Sequence, residues 1–194
     1  MADPAIDPLA IIELTNLKAS GKLEHLAKHP QLGMKPEWIG ELSRDKYRYV
    51  RTALAENPAI ASSPEVAQTL AADKYWFVRW CLTKNPAIAS SPEVAQTLAA
   101  DKYWFVRSNL AKNPALATSP DIIQALSTDK DWSVRQALAK NPTIANYPEI
   151  IKQLATDKDP RVRYALAENP AIPTRTARTN SWQATQPVTQ TTTI

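Results

Sequence analysis

The sequence predicts an all-α protein, built as a right-handed α-solenoid of 28-residue repeats that each contain two short helices. An Asp, a Val-Arg pair and an Asn-Pro pair each recur every 28 residues from Asp45 to Pro170, without insertion. The 21-residue segment that begins at Ala59 recurs letter for letter at Ala87. Prolines number 16 and glycines only 3, which favours regularly punctuated helices over a sheet with tight turns. A fixed period of this length is typical of proteins whose units stack on their neighbours.

The first helix of each unit is predicted from a capping pattern. A Ser, Thr or Asn stands three residues before an acidic residue, which is the spacing of a capping box. A proline lies between them, and it is compatible with a first helical turn because its missing N–H would be unpaired there. The predicted caps are Ser62, Ser90, Thr118 and Asn146, and the acidic residues are Glu65, Glu93, Asp121 and Glu149.

The second helix is predicted to cover about ten residues, 75–84 in the second unit. Val78, Cys81 and Leu82 have the i, i+3, i+4 spacing of a buried face. The helix should end near Asn85, since a residue before proline is disfavoured in the α conformation. The connector that follows is short enough to be a 3₁₀ helix. It adds one apolar position to each unit, at Ile60, Ile88, Leu116, Ile144 and Ile172.

The chain divides into three segments. We expect residues 1–46 to form an N-terminal capping helix and a degenerate repeat, and residues 47–172 to form the regular repeats. Helices of about ten residues are marginal alone in water, so the end of the array needs a cap. Residues 173–194 have no period and are rich in Thr and Gln, which predicts a disordered tail or linker.

Charge and hydropathy exclude some classes of protein. The net charge is +4, and it falls to +2 when Arg175 and Arg178 of the tail are left out. A general nucleic-acid binder usually carries a much larger excess of basic residues. No apolar run approaches the length of a membrane span, and the N-terminus lacks a secretory pattern. We therefore expect a soluble cytoplasmic protein that does not enter a membrane.

Chemistry-bearing residues are scarce. Cys81 is the only cysteine, and the two histidines, His25 and His29, lie in the degenerate unit. The sequence has no glycine-rich phosphate loop and no group of metal ligands with a recognisable spacing. The sequence therefore predicts a protein that is not an enzyme and has no cofactor and no metal site.

The repeat resembles a known family at the segments "NPAIASSPEVAQTLAADKYWFVR" and "DKDPRVRYALAENPAI". Asn-Pro, Pro-Glu-Val, Leu-Ala-x-Asp and Val-Arg in this order resemble the leucine-rich repeat variant family, a relative of HEAT repeats. The resemblance covers about residues 22–172 and implies an all-α superhelix with a 3₁₀ helix in place of one α-helix per unit. A founding member carries an N-terminal iron–sulfur cluster, but with Cys81 alone this chain does not inherit it. The 28-residue unit is also slightly longer than is typical of the family.

The HEAT resemblance also implies a role for the recurring arginines. HEAT repeats link an Asp in the turn between the helices to an Arg six residues later, and these links form a ladder. Two interpretations are open: the favoured one is a structural ladder, and the alternative is a row of phosphate-binding arginines. The predicted pairs are Asp45/Arg51, Asp73/Arg79, Asp101/Arg107, Asp129/Arg135 and Asp157/Arg163.

The aromatic residues vary between units, as expected of a recognition surface. Two units have Asp131 and Asp159 at the cap of the second helix, where the others have tyrosine. In the second unit Trp76, Arg79, Trp80 and Thr83 share one predicted helical face, distinct from the buried one. We predict a partner-binding strip, while packing between repeats stays open as the alternative. Its candidate residues are Tyr75, Trp76, Trp80, Tyr103, Trp104, Trp132 and Tyr164.

Cys81 and Asn109 occupy a position that is alanine in the other units. Cys81 is predicted to be a small core residue. Asn109 lies on the predicted buried face and would need a hydrogen-bond partner there.

The function that these patterns favour is a non-enzymatic scaffold that binds a protein or peptide on an aromatic and arginine-lined face. The alternative is a DNA-binding HEAT-like protein related to alkylation-repair glycosylases, which line a concave face with Trp and Arg. Against this alternative, no acidic residue among the Trp and Arg rows matches the catalytic aspartate of that family.

Overall fold

The protein is all-helical throughout the residues that its computed structural model describes, namely 27, 36–86, 88 and 91–172. No strand occurs in these ranges, so the all-α prediction is confirmed. The predicted N-terminal helix, most of the degenerate repeat and the predicted tail lie outside the described residues. Within those ranges the α-helices are α1 (Pro36–Ser43), α2 (Arg48–Glu56), α3 (Pro64–Ala71), α4 (Trp76–Leu82), α5 (Pro92–Ala99), α6 (Trp104–Ala111), α7 (Pro120–Ser127), α8 (Trp132–Lys140), α9 (Pro148–Ala155) and α10 (Pro160–Ala167).

The helices form two rows. Each odd-numbered helix contacts the next odd-numbered helix, and each even-numbered helix contacts the next even-numbered one. Each odd-numbered helix also packs against the even-numbered helix that follows it. Short 3₁₀ helices occupy three of the connectors, at Pro58–Ser62, Pro114–Thr118 and Pro142–Asn146. The prediction of a 3₁₀ connector is thereby confirmed for these three units.

The predicted apolar rows form the core. Val78, Cys81 and Leu82 are fully buried. The connector row is also buried, at Ile60, Ile88, Leu116, Ile144 and Ile172. Burying an aliphatic side chain of this size contributes about 1.5–3 kcal/mol. Helices of seven to nine residues, such as α4 and α8, depend on these contacts because they would be marginal alone.

The predicted caps of the first helices are displaced by one residue. Helices α3 and α5 begin at prolines, and their N-caps are Ser63 and Ser91, without a side-chain capping hydrogen bond. Ser62 instead ends a 3₁₀ helix and donates a 2.8 Å hydrogen bond to the Ala59 carbonyl oxygen. Thr118 and Asn146 likewise end 3₁₀ helices, and Ser90 lies outside the described residues. The physical reason is that proline favours the first helical position, which makes the residue just before it the cap.

The arginine ladder is present, but its pairing differs from the prediction. The Arg51 guanidinium binds both carboxylate oxygens of Asp73, in the next unit, at 2.5 and 3.0 Å. It reaches Asp45, its predicted partner, only through the main-chain oxygen, at 2.6 Å. The carboxylate of each ladder Asp also accepts the backbone N–H two residues later, as Asp45 does from Tyr47 at 2.8 Å. The ion pairs are Arg51–Asp73, Arg79–Asp101, Arg107–Asp129 and Arg135–Asp157.

A second ladder, of asparagines, was not predicted. Asn141 donates from Nδ2 to the carbonyl oxygens of Ala111 and Asn113 in the preceding unit, at 2.8 and 3.1 Å. Its Oδ1 accepts the N–H of Thr143 at 3.0 Å. The five asparagines of the Asn-Pro row are all buried and all donate to the preceding unit: Asn57, Asn85, Asn113, Asn141 and Asn169. Besides ending a helix, the Asn-Pro pair therefore ties neighbouring units together.

Candidate functional site

Nine aromatic side chains lie at the cap or in the first two turns of helices α2, α4 and α6, and we call them the aromatic cluster. Ring contacts link seven of them, while Tyr47 and Tyr49 stack on each other at 5.2 Å and lie in the preceding unit. A tyrosine is the N-cap of each of these three helices and forms no side-chain capping hydrogen bond, unlike Asp131 and Asp159 at α8 and α10. The members are Tyr47, Tyr49, Tyr75, Trp76, Phe77, Trp80, Tyr103, Trp104 and Phe105.

Phe77 and Phe105 are the centres of this cluster, although they were absent from the predicted site. The Phe105 ring meets Trp76 of the preceding unit edge-on, with centroids 4.8 Å apart. It also stacks on Tyr103 at 5.1 Å and contacts Trp104 at 5.8 Å. Phe77 stacks on Trp80 at 5.3 Å and meets Trp76 at 5.4 Å. The sequence did hold a signal for them, because this position also differs between units, with four residue types in five units: Tyr49, Phe77, Phe105, Ser133 and Arg161.

Exposure differs within the predicted strip. Trp104 is 47% exposed and Tyr103 is 37% exposed. Trp76 and Trp80 are half-buried, and Phe77 contacts both rings. The sequence placed these two tryptophans on one helical face with Arg79 and Thr83. In the structure Arg79 and Thr83 are buried, while the two tryptophans are partly exposed. Tyr75 is also half-buried.

Trp132 and Tyr164 are not joined to the cluster by any ring contact among the described residues. Trp132 is half-buried under Arg161 of the next unit, whose guanidinium carbon lies 3.3 Å from the ring centroid. Arg161 is held there by a 2.7 Å ion pair with Asp159, and the hydrogen bond with Arg161 lowers the pKa of Asp159 to about 2. Tyr164 is 64% exposed. The structure therefore brings together five of the seven predicted partner-binding residues.

Lysines stand at the ends of the even-numbered helices, and Lys46, Lys84 and Lys102 lie against rings of the aromatic cluster. Lys102 lies 5.1 Å from the ring centroid of Tyr103, and Lys84 lies 3.6 Å from that of Trp80. All of these lysines are exposed, and none forms an ion pair with another residue that the structure describes. The N-terminal lysine row contains Lys46, Lys74, Lys102, Lys130 and Lys158, and the C-terminal lysine row contains Lys84, Lys112 and Lys140.

The ladder arginines are not exposed on this face, contrary to the expectation of an arginine-lined surface, although the buried Arg79 guanidinium lies 5.8 Å from the ring centroid of Tyr103. Arg51, Arg79, Arg107 and Arg135 are buried, with exposures of 5–7%. Each is engaged by the carboxylate of the next unit, and the hydrogen bond to Asp101 raises the pKa of Arg79. Arg163, in the last unit, is half-buried and donates to the main-chain oxygen of Asp157 at 2.6 Å. The exposed cations near the cluster are lysines together with Arg48.

A cavity of about 380 Å³ opens at one edge of the cluster, between α2 and α4. Arg48 lies over the Tyr75 ring at 4.6 Å and forms part of its wall. Apolar rings and three polar side chains therefore face one concave space, a combination typical of a subsite for a ligand side chain. Its lining residues are Arg48, Tyr49, Thr52, Ala53, Glu56, Tyr75 and Phe77.

Side chains at the positions where the two copies diverge form hydrogen bonds to neighbouring residues. The Cys81 thiol donates to the Glu56 carboxylate at 3.3 Å, and burial together with this hydrogen bond raises the pKa of the thiol to about 12. A protonated thiol of this kind is a poor nucleophile. Asn109 is half-buried and donates to the Thr83 hydroxyl at 2.6 Å. Cys81 is therefore a core residue, as predicted, and Asn109 has the partner that its position required.

A larger cavity, of about 520 Å³, lies between α5 and α7 in the other helix row. Its wall includes Asp121 as the single charged residue and contains no aromatic ring. Small and aliphatic side chains dominate it, so it offers fewer specific contacts than the aromatic cluster. We therefore regard the cluster as the stronger candidate.

The described residues contain no group of three or more His, Cys, Asp and Glu side chains arranged to hold a metal ion. None of the helices in the described ranges is long and apolar enough to cross a membrane.

No protein-family model matches the sequence, and no curated protein matches it either. The resemblance to the leucine-rich repeat variant and HEAT families therefore rests on the motif residues alone.

Proposed function

We propose that the protein is a non-enzymatic scaffold that binds a protein or peptide partner on the aromatic cluster. The proposal includes a right-handed α-solenoid of the HEAT-like, leucine-rich-variant type, in a cytoplasmic protein. It is supported by side-chain hydrogen bonds that join neighbouring units at separations of 22, 28 and 30 residues. Bonds of this kind repeat along the array, as expected when each unit stacks only on its neighbours.

The observation that carries the proposal is the exposure of Trp104, which lies against Phe105 at the margin of the aromatic cluster. Tyr47, Tyr49, Tyr103 and Trp104 are 37–48% exposed. Exposed aromatic surface on a soluble protein usually marks an interaction site, and Trp and Tyr are enriched among residues that dominate binding energy.

The cluster is also held in place before any partner binds. Phe105 fixes Trp104, Tyr103 and Trp76 by direct ring contact. Rings that are already immobilised lose little conformational entropy on binding, which favours affinity. The fifth unit forms the same second helix with Pro160 in the position of Trp104, so this aromatic residue is not needed to build a unit.

DNA binding of the HEAT-like glycosylase type is the second candidate, and the exposed lysine rows favour it. Phosphate contacts by lysines would give binding that weakens steeply with salt. The four buried arginines of the ladder, however, are engaged within the protein and contribute less to such a surface.

The test is the selection of binders from a random peptide library displayed on phage, followed by solution titration of the enriched peptides. We expect these peptides to bind the wild-type chain and a Tyr164→Ala variant equally. Trp104→Ala should weaken them about tenfold or more, as loss of a central aromatic anchor does. Tyr164 is the matched control because it is exposed and lies apart from the cluster. The proposal would be contradicted if the enriched peptides bound the Trp104→Ala variant as tightly as the wild type, or if a duplex DNA bound more tightly than any of them.

A further inference from the structure

We propose that the partner segment is acidic and lies across α4, α6 and α8 in the polyproline II conformation, with a carboxylate about every third residue. This inference rests on the proposed function and adds the chemistry of the partner. Three observations carry it: the segregation of charge between the two helix rows, the regular spacing of the lysines, and the occupied faces of the aromatic rings.

The even-numbered helices present positive charge. From the second to the fourth unit, the turns and helices of this row hold six exposed lysines: Lys74, Lys84, Lys102, Lys112, Lys130 and Lys140. The acidic residues of the same segments are already engaged. Asp73, Asp101 and Asp129 pair with ladder arginines, and Asp131 accepts the N–H of Ser133 at 2.8 Å as the cap of α8.

The odd-numbered helices present the opposite charge. Their exposed first turns contain Glu65, Glu93, Asp121 and Glu149. Lys152 is the only basic residue in α1, α3, α5, α7 and α9, and it pairs with Glu149 at 2.9 Å. Because the two rows differ in sign, a partner that meets the aromatic cluster encounters a positive field, which steers and orients negative groups.

The spacing of the lysines sets the spacing of the partner's charges. Packed helices lie about 8–10 Å apart, so equivalent lysines of adjacent units are separated by about the same distance. A peptide in the polyproline II conformation has three residues per turn and advances about 3.1 Å per residue, so side chains three residues apart lie on one face about 9 Å apart. Carboxylates three residues apart would therefore match successive lysines, and the residues between them could reach the aromatic rings and the cavity beside Arg48.

The ring contacts favour a peptide over a nucleic acid. Bases bind single-stranded sites by stacking on open aromatic faces. Here two of the rings have occupied faces, since Phe77 stacks on Trp80 and Lys84 lies over the same indole ring. Tyr103 stacks on Phe105 and also has Lys102 near its ring. At Trp80 and Tyr103 the groups left for a partner therefore include lysine ammonium groups, which suit carboxylates, while the exposed Trp104 is left for an apolar side chain.

The test uses labelled peptides of about 12 residues, long enough to span three units in the polyproline II conformation. One has Glu at every third position with Leu and Ser between, one has the same composition with its Glu residues clustered, and one has Lys in place of Glu. A labelled duplex DNA of about 16 base pairs is the fourth probe. Binding is titrated with the full chain at low and at physiological ionic strength.

A charge-matched pair of variants locates the site. Lys74→Glu with Lys102→Glu removes four units of charge from the N-terminal lysine row. Lys152→Glu with Gln96→Glu and Gln124→Glu makes the same change in net charge on exposed positions of the odd-numbered helices. Circular dichroism and the thermal midpoint check that both variants fold.

We expect the spaced Glu peptide to bind the wild-type chain most tightly, to weaken about tenfold in the lysine-row variant, and to bind the control variant nearly as well as the wild type. Equal binding of the Lys peptide, equal losses in both variants, tighter binding of the duplex DNA, or association of the chain with itself through its acidic row would overturn the inference. If neutral peptides bind in a Trp104-dependent manner while acidic ones do not, the inference fails and the proposed function stands.

Discussion

The side-chain amide of Asn109 donates a 2.6 Å hydrogen bond to the hydroxyl of Thr83, across the joint between the second and third units. The Thr83 hydroxyl in turn donates to the main-chain oxygen of Trp80 at 2.7 Å. These residues lie where two otherwise identical 21-residue copies diverge. The other units have alanine at the position of Thr83, and alanine or Cys81 at the position of Asn109. The divergence therefore places a pair of complementary polar groups at one joint.

We predict that Asn109→Ala lowers the free energy of unfolding by about 1 kcal/mol, the usual net contribution of one hydrogen bond. The cost stays small because Thr83 keeps its bond to Trp80. Thr83→Ala combined with Asn109→Ala should cost less than the sum of the two single changes, since alanine occupies both positions in other units. Urea unfolding of the four proteins of the double-mutant cycle gives the coupling energy. A coupling of zero would show that the bond does not stabilise the joint.

Arg107→Ala should be far more costly, at about 3 kcal/mol, because it leaves the Asp129 carboxylate buried without its cation. The side chains of the pair are only 6% and 8% exposed. Arg163→Ala is the control, since Arg163 donates only to main-chain oxygens in the described structure, and it should cost less.

Coupling energies measured along the arginine ladder should distinguish the two possible pairings of Arg107. In double-mutant cycles Arg107 should couple strongly to Asp129 and only weakly to Asp101, whose contact with Arg107 is a main-chain oxygen at 2.6 Å. Strong coupling between Arg107 and the Asp101 carboxylate would instead support the predicted pairing within one unit.

Acid should destabilise the ladder. Burial raises the pKa of Asp129 and of Asp157, but hydrogen bonds from Arg107 and Arg135 and from the backbone outweigh it, so both pKa values lie below the ordinary 3.8. A carboxylate with a lowered folded-state pKa stabilises the fold above its unfolded pKa, and this stability is lost as pH falls through the folded value. The free energy of unfolding should therefore fall as pH drops below about 4. Asp157→Asn removes only the last of the ion pairs. The free energy of unfolding of this variant should therefore still fall in acid, because the other pairs remain.

Asn141→Ala should cost about 2 kcal/mol, since two carbonyl oxygens of the preceding unit and the N–H of Thr143 lose a buried partner. Asn146→Ala, at the exposed end of a 3₁₀ helix, should change stability by less than about 0.5 kcal/mol. Chemical denaturation of both variants checks this difference. Similar losses would mean that the asparagine ladder adds nothing beyond ending the helix.

The sequence period was sufficient to predict the helices, the 3₁₀ connectors and the apolar rows, because these depend on local pattern and burial. It could not decide the arginine pairing. In a 28-residue repeat, each Arg lies six residues after one Asp and 22 residues before the next, so the period fits both partners equally. The pairing depends on which carboxylate the long Arg side chain reaches in three dimensions. The roles of Phe77 and Phe105 were missed for a related reason, since ring contacts between units do not follow from spacing along one helix.

Substitutions of Trp104 and Trp80 should have different effects on stability, because the two side chains differ in exposure and in packing. Trp104 is 47% exposed and contacts the edge of a single described ring, Phe105. Trp104→Ala should therefore change the free energy of unfolding by less than about 1 kcal/mol. Trp80 packs against the core, stacks on Phe77 and lies under Lys84. Trp80→Ala should therefore cost about 2–3 kcal/mol, somewhat less than the truncation of a fully buried aromatic side chain.

Denaturant unfolding of both variants, beside titration with a peptide selected on the wild-type chain, measures the two effects together. Trp104→Ala should lose about tenfold in affinity at nearly unchanged stability, because a partner contacts the exposed part of this ring. Trp80→Leu, which keeps apolar volume beneath Lys84, should recover part of the stability lost in Trp80→Ala. If Trp104→Ala unfolds as readily as Trp80→Ala, the exposed indole is structural, and the contact surface for a partner must lie elsewhere on the even-numbered helices.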